Sequence, residues 1–457
     1  MKKLFVFLII FIHFSGFSQN SNVNDIDYLV NKIKTVYPGF NFKAKSNEFD
    51  KLVNEVKLSK DKDTFALLSR ITTFFNDCHL SIFQVNPLKN IDLNNCKLNL
   101  IKIPSIKKPI FNNNDIQGFW FNELKTTVIY IKKVSKNKFE GYVLDSKKKF
   151  IKGACVLKLS YEAKSIIADF IDLDEGVRIF TKANFRSSKL LNLGAYSKWR
   201  KLINFDTTLI KKSIEFDYSP SLEILDSSNI LFKMSDFSGN YVKLYDSLIE
   251  KNKSIISNTK NLILDIRNNV GGTTKCYKNL VSYICTNSIL TSGTYKLCSA
   301  DLIESARKTR DKYVKSNDSL KIITSNIYLS KLLASRDSLL YFPADTIECT
   351  LADNKIKNVA IIMNNCSRSA AELMVLNFKQ SKKVKLFGEP SGGAVDYLDI
   401  LNFQLPVSKY YLWIGSSKRM PTKFAPLYDE KGIEPDVRIS DNELDWVDYV
   451  KKYYADK

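Results

Sequence analysis

The alternation of strand-like and helix-like segments after Ser228 constrains the fold of this chain most. NILFKM, NLILDI and KNVAIIMNN are short apolar, β-branched runs bounded by turn residues, a pattern typical of buried strands. Helix-like stretches follow them, over 241–257 and in SAAELMVLNFKQ. Strands that alternate with helices in this way predict a layered α/β domain. We place this domain at residues 216–457.

Two smaller regions precede the α/β domain. Apolar residues recur at helix spacing from Ile26 to Tyr37, and similar segments follow, which predicts a helical subdomain over residues 20–85. The period then changes to two in GFWFN, TTVIYIKKV and ACVLKL, as expected for a small antiparallel β domain. We place this β-rich domain and its linker at 86–215. The stretch 160–218 has a mixed pattern and is assigned to the end of that region.

The first residues have the organisation of an export signal. Lys2 and Lys3 precede an apolar run from Leu4 to Phe14, which is followed by a small and polar stretch. This order is typical of a signal peptide, here residues 1–19. The apolar run is short for a membrane-spanning helix, so we expect a secreted or periplasmic protein without stable membrane insertion.

Composition argues against several kinds of partner. The net charge is +21, but the lysines are scattered along the chain rather than gathered on one element, so we expect no nucleic acid. The eight cysteines show no CxxC pair, which disfavours a metal site, and no other cofactor is indicated. One or two disulfides are compatible with export, but neither their pairing nor the oligomeric state follows from the sequence.

Histidine is the most informative residue type in this sequence. The chain contains two, and His13 lies in the predicted signal peptide, so His79 is the only histidine of the mature protein. Histidine is the side chain whose ordinary pKa makes it a base near neutral pH. His79 is therefore a candidate general base, although a core histidine at the end of an apolar helix is the ordinary alternative.

A second candidate lies where a predicted strand meets a predicted helix. Ser369 follows KNVAIIMNNCSR and precedes AAELM, so the amides of a helix N-terminus point toward it. Such a position suits a nucleophile, because these amides stabilise a developing oxyanion. With Glu372 three residues later, Ser369 also fits a helix-capping box. Ser367 is a less favoured nucleophile for the same site.

The third candidate is a pair of glycines after a buried strand. LILDIRNNV ends in Gly271 and Gly272, whose backbone amides no side chain shields. These amides are candidates for half of an oxyanion hole. An ordinary turn is the alternative, and a phosphate loop is excluded because no GKS or GKT follows.

Several motifs together resemble a known family. NDCHLS, DIRNNVGG, NNCSRSAAE, KLFGEPSGGAVDY and GIEPDV resemble, in the same order, motifs of the serine peptidases that include the tail-specific (C-terminal processing) proteases and the tricorn core protease. The resemblance covers residues 229–441 well and the N-terminal helices more loosely. It implies a crotonase-like α/β core, hydrolysis of peptide bonds in a peptide or protein substrate, and Ser369 as nucleophile.

One position departs from the tail-specific pattern. Where that branch has a lysine base, this chain has Ala394. The tricorn-like branch uses a histidine and a late acidic residue instead, which implies His79 as base and Asp429 or Glu430 as acid.

The resemblance assigns the oxyanion hole to the amides of Gly271 or Gly272 and Ala370. The family's PDZ domain has no counterpart that we recognise, and the β-rich region occupies its place. The alternative function is a catalytically silent peptide- or ligand-binding protein that keeps the fold. We favour the enzyme because the candidate features occur in the family's order.

Overall fold

The computed structural model describes residues 24–44, 47–85, 116–123, 126–146, 153–162, 165–173, 176–187, 189–202, 219–350, 352–429, 431–440, 443 and 445–456. The predicted signal peptide and Glu430 lie outside these residues. None of the helices in the described part of the chain combines the length and the apolar character that a membrane crossing requires.

The described α-helices occur in an N-terminal group and in the C-terminal half. They are α1 Asp25–Val36, α2 Phe40–Lys43, α3 Glu48–Leu58, α4 Thr64–Thr73, α5 Val242–Lys251, α6 Lys253–Asn258, α7 Val281–Ile284, α8 Ala300–Lys315, α9 Ser319–Ala334, α10 Ala370–Phe378 and α11 Trp446–Ala455. Short polar residues cap several of them. The Asn24 side chain, for example, accepts from the Asp27 amide and satisfies one free amide of α1.

The described strands form two larger sheets and one short pair. They are β1 Leu80–Val85, β2 Gly118–Asn122, β3 Thr127–Ser135, β4 Lys138–Ser146, β5 Cys155–Glu162, β6 Ser165–Asp172, β7 Val177–Ser187, β8 Leu190–Leu193, β9 Ser197–Lys201, β10 Ser221–Ile224, β11 Asn229–Lys233, β12 Asn261–Asp265, β13 Ile289–Leu290, β14 Thr294–Leu297, β15 Leu339–Phe342, β16 Thr346–Ile347, β17 Asn358–Met363, β18 Val384–Gly388, β19 Tyr397–Gln404, β20 Tyr411–Arg419 and β21 Val437–Arg438.

The first sheet has six strands in the order β10-β11-β12-β17-β18-β21. All neighbours except β10 and β11 pair in parallel. One face packs on α5 and α10, and the other packs on α11 through Trp446 and Val450. Parallel strands buried on both faces are near-continuously apolar, which explains why they were recognisable in the sequence. The α/β prediction is confirmed by this arrangement.

The parallel strands bring four loops to one edge of this sheet. The loops after β11, β12, β17 and β18 all leave carboxyl ends, and these ends share an edge. In open α/β sheets, ligands bind outside this edge. A site is therefore expected among the loops 266–273, 364–369 and 389–394.

The β-rich region closes on itself. Strands β2 to β9 pair as β7-β6-β5-β4-β3-β2-β9-β8, and β8 pairs again with β7. We call this the closed sheet. Its strands β6 to β9 come from the stretch 160–202, which the sequence pattern left without a firm assignment. Apolar side chains fill its interior, including Trp120 and Leu191.

The N-terminal helices share a core with late strands. Leu29, Ile33 and Phe65 pack with Leu412 and Ile414 of β20. Strand β1 continues from this helical region and pairs with β20 on one side and β7 on the other. Residues from both ends of the chain are thereby brought together around His79.

Candidate active site

Ser369 lies at the junction between β17 and α10 in a strained backbone conformation. Its φ is 56° and its ψ is −121°, a region that side-chain-bearing residues seldom occupy. Such strain persists only where surrounding structure enforces it, and it clusters at functional sites. Ser369 is half-buried, and its side chain projects from a sharp strand-to-helix turn, the geometry of a nucleophile elbow.

Gly271 packs directly against this serine. A Cβ at position 271 would lie 2.7 Å from Ser369 Cβ and 2.9 Å from the Ala370 nitrogen, so only glycine fits here. The Gly271 amide itself donates to Asn269 Oδ1 at 2.8 Å. Among the hydrogen bonds of the described residues, neither the Gly272 nor the Ala370 amide has an acceptor. Of the three predicted oxyanion donors, Gly272 and Ala370 are therefore unoccupied, and Gly271 is committed elsewhere.

Glu372 ties the serine turn to the loop after β18. Its fully buried carboxylate accepts from the Ser369 amide at 3.0 Å, the Ser391 hydroxyl at 2.5 Å, and the Gly393 and Ala394 amides at 2.8 Å each. Burial raises the pKa of Glu372, and these donors act in the opposite direction. The S-x-x-E pattern predicted a local cap, but it did not predict this connection across the site.

His79 is buried at the start of β1, and its ring is oriented by a backbone carbonyl. Nδ1 contacts the Tyr397 carbonyl oxygen. Because that oxygen only accepts hydrogen bonds, Nδ1 carries the proton in the neutral ring and Nε2 is left with its lone pair. Burial lowers the pKa of His79, while the charge of Asp77 opposes this effect. The neutral tautomer is the one that a general base requires.

Two side chains connect the His79 segment to the serine turn. The Tyr196 hydroxyl, in the turn between β8 and β9, donates to the Cys78 carbonyl at 2.9 Å. The Arg368 guanidinium lies over the Tyr196 ring, 5.0 Å from its centroid. The charge of Arg368 also contributes to the lowered pKa of His79. Tyr196, Arg368 and Tyr397 were not predicted as site residues. None of them belongs to a sequence motif that by itself indicates catalysis or binding.

Asp429 has partners other than His79. Its Oδ2 accepts from Lys43 Nζ at 2.7 Å, and its amide donates to Asp396 Oδ2 at 2.7 Å. Burial and the neighbouring Asp77 raise the pKa of Asp429 to about 8. No hydrogen bond joins it to His79 among the described residues. Glu430, the other predicted acid, lies outside the residues that the structure describes.

Ser367 is fully buried, and its hydroxyl stabilises the turn through hydrogen bonds to the backbone. Its hydroxyl donates to the Ile266 carbonyl at 2.8 Å and accepts from the Asn364 amide at 3.1 Å. These bonds join the loop after β17 to the end of β12. The hydroxyl is unavailable to a substrate, which agrees with the preference for Ser369.

The fold has counterparts among known proteins. The model of peptidase family S41 matches residues 231–439. A search of curated protein sequences finds no match. A crystal structure of a CPAF mutant aligns with a TM-score of 0.50 and 11% sequence identity, covering 91% of this chain and 92% of that one. This likeness shows a shared fold.

Two further solved structures align over similar lengths. Mature CPAF has a TM-score of 0.49 at 11% identity, covering 91% of both chains. The photosystem II D1 C-terminal processing protease has a TM-score of 0.40 at 11% identity, covering 91% of this chain and 92% of that one.

The family match and the motifs agree on the same part of the molecule. Residues 231–439 contain the parallel strands from β11 onward, the glycine pair and Ser369, whereas His79 precedes the matched region. The resemblance predicted from the motifs is confirmed. Residues 231–439 therefore match peptidase family S41, and the protein is a serine-type peptidase.

Proposed function

We propose that this protein is an exported peptidase that hydrolyses peptide bonds with Ser369 as nucleophile and His79 as general base. The observation that carries the proposal is the strained Ser369 turn, held against Gly271 at the carboxyl edge of the parallel sheet. This position exposes a hydroxyl beside unoccupied backbone amides. The layered core that supports it is crotonase-like in this proposal.

The reaction follows from the groups around the serine. His79 Nε2 takes the Ser369 proton as Oγ attacks the substrate carbonyl, and the Gly272 and Ala370 amides stabilise the resulting oxyanion. His79 then delivers the proton to the leaving amine, and water hydrolyses the acyl-enzyme by the same route. The Tyr397 carbonyl orients the imidazole in the place of an acid, because its contact with Nδ1 fixes the tautomer.

Two features of the chain support export, namely its N-terminal sequence and a disulfide bond. The N-terminal residues have the order of a cleavable signal. In addition, Cys285 and Cys349 form a disulfide, a bond that persists in oxidising compartments such as the periplasm and the cell exterior.

The proposal is tested by labelling the purified mature protein with a fluorophosphonate probe. We expect wild type to be labelled and Ser369→Ala and His79→Ala to lose the label. Ser316→Ala, an exposed serine at the end of α8, is the matched control and stays labelled. Ser369→Ala keeps the hydrogen bond from the amide of residue 369 to the Glu372 carboxylate, because that bond does not use the serine side chain. Labelling that survives Ser369→Ala contradicts the assignment.

A further inference from the structure

Arg368 precedes the proposed nucleophile, and its backbone is fixed on both sides. Its amide donates to the Asn269 carbonyl at 2.9 Å, and its own carbonyl accepts from the Ala371 amide at 3.1 Å. Gly392 packs closely beside it, since a Cβ at position 392 would lie 3.2 Å from Arg368 Cβ. The side chain therefore leaves the backbone from a rigid point next to Ser369.

The guanidinium of Arg368 has no anionic partner among the described residues. Its Nε is fully buried and makes no hydrogen bond. Buried polar atoms are almost always paired, so an unpaired one indicates a missing ligand, ion or water. Two other arginines of this chain show the usual outcome: Arg178 binds Asp63 and Asp169, and Arg419 binds Asp396.

Carboxylates near Arg368 are already occupied by other donors. Glu372 accepts from four donors around the serine turn. Glu389 pairs with Lys198 at 2.5 Å. Asp77 accepts from the Tyr37 hydroxyl and the His79 amide, both at 2.8 Å. Among the described residues, the positive charge beside the serine is therefore left without a carboxylate partner.

The guanidinium is also held in a defined position. It lies over the Tyr196 ring, and the Tyr196 hydroxyl is fixed to the Cys78 carbonyl and to Ser81 Oγ. A cation stacked on an aromatic face keeps its planar N–H groups free for another partner. Carboxylates match these N–H groups in a bidentate geometry.

We propose that Arg368 binds a carboxylate of the substrate next to the scissile bond, which makes it a specificity-determining residue. This inference rests on the proposed function, because it takes Ser369 as the nucleophile. The carboxylate is that of an Asp or Glu side chain, and a preference that follows the free C-terminus of the substrate instead overturns this assignment.

The test uses labelled octapeptides of alanine and leucine that carry one Glu or one Gln at each position in turn. Each peptide is made with a free C-terminal carboxylate and with a C-terminal amide. We measure kcat/KM with wild type, Arg368→Gln and Arg368→Lys, and compare Arg336→Gln, an exposed arginine just after α9, as control. Circular dichroism verifies that each variant is folded.

We expect wild type to prefer Glu over Gln at one position by at least about tenfold, as a charge-assisted hydrogen bond allows. Arg368→Gln brings this ratio close to one, Arg368→Lys keeps part of it, and Arg336→Gln keeps all of it. If the preference follows the free C-terminus instead, the amidated peptides lose it and the Glu and Gln peptides do not differ. No carboxylate preference, or one that persists in Arg368→Gln, overturns the proposal.

Binding separates this inference from the catalytic proposal. The same peptides are titrated against Ser369→Ala by fluorescence anisotropy, which requires no turnover. Tighter binding of the carboxylate peptides that is lost in Ser369→Ala/Arg368→Gln supports the Arg368 site even if wild type hydrolyses nothing. Hydrolysis by wild type without any carboxylate preference in binding or turnover supports the nucleophile and overturns the Arg368 site.

Discussion

The protonation state of His79 is set by where the ring lies. Burial disfavours the imidazolium, and the Tyr397 carbonyl selects the tautomer with the proton on Nδ1. A base of this kind is inactive only when protonated. Its lowered pKa extends the active range toward acid.

We therefore predict that kcat/KM rises with pH and reaches half its plateau below pH 6.5, the ordinary value for histidine. The measurement is a pH profile of peptide hydrolysis under kcat/KM conditions. Exposed lysines and carboxylates do not titrate near this midpoint, and Asp429, whose pKa is raised to about 8, titrates above it, so the midpoint below pH 6.5 reports the base. A midpoint above 6.5, or a rate that stays flat from pH 5 to 8, contradicts the assignment of a buried His79 as base.

Asp429 predicts a second pH effect, this one on stability. Its pKa rises from 3.8 to about 8 in the folded protein, so between these values the folded chain holds a proton that the unfolded chain has lost. The protonated Asp429 therefore contributes fully to the stability of the folded protein below pH 3.8, and this contribution is lost as pH rises toward 8. Asp429→Asn should flatten this decline in urea unfolding measured from pH 4 to 8.

Asp311→Asn, on the exposed side of α8, is the control for Asp429→Asn and keeps the wild-type slope. A slope that is the same in wild type and in Asp429→Asn shows that the Asp429 carboxylate does not bind this proton.

At the scale of elements, the N-terminus of α10 holds the site together through one carboxylate. Glu372 on the first turn of this helix fixes the Ser369 amide and three groups of the loop after β18. The helix follows β17 and the loop follows β18, the neighbouring strand of the sheet, so the two segments meet at one edge although the bonded residues are 19 to 22 positions apart in the chain. The position of the serine turn therefore depends on both.

Glu372→Gln should lower the free energy of unfolding by about 2–4 kcal/mol, because an amide nitrogen replaces an oxygen that accepts from buried donors. Hydrolysis should fall as well, since one of those donors is the Ser369 amide. Urea unfolding and peptide hydrolysis measure the two effects. The exposed Glu304→Gln on α8 is the control, and an equal effect in both variants contradicts the role of Glu372.

The sequence predicted the elements of this site better than their connections. The parallel strands, Ser369 and the glycine pair were recognisable because buried strands and strand-to-helix turns leave local patterns. The partner of His79 was predicted as Asp429 or Glu430, yet in the structure the ring contacts the backbone carbonyl of Tyr397. Every residue has a backbone carbonyl, so the residue type at this position does not indicate the contact. Contacts between distant segments depend on packing, which one sequence does not encode locally.

At the scale of the molecule, the closed sheet is joined to the parallel sheet by a buried ion pair. Lys198 of β9 is fully buried, and its Nζ binds Glu389, directly after β18, at 2.5 Å. Arg200 lies beside the same carboxylate, at 3.6 Å. The closed sheet also supplies Tyr196, so this junction fixes one wall of the site. The period-two pattern predicted strands up to about residue 157 and left β6 to β9 without a firm assignment, and the closure of the sheet depends on the long-range pairing of β2 with β9.

Lys198→Met should cost about 3–5 kcal/mol of stability, because it removes the nearest partner of the Glu389 carboxylate and leaves only the more distant Arg200. The double variant Lys198→Met/Glu389→Gln should recover part of this loss. A double-mutant cycle from urea unfolding measures the coupling between the two residues. Additive effects of the two single substitutions show that the pair does not join the sheets.

The pairing of β1 with β20 also sets when a newly made chain becomes active. His79 is synthesised early, but the carbonyl that orients it belongs to Tyr397, and the strand that supports β1 ends at Arg419. A ribosome-bound chain that ends before β20 therefore contains the histidine and even the serine without the strand that supports β1. The proposed base is oriented only after residues 397–419 have been made and have folded.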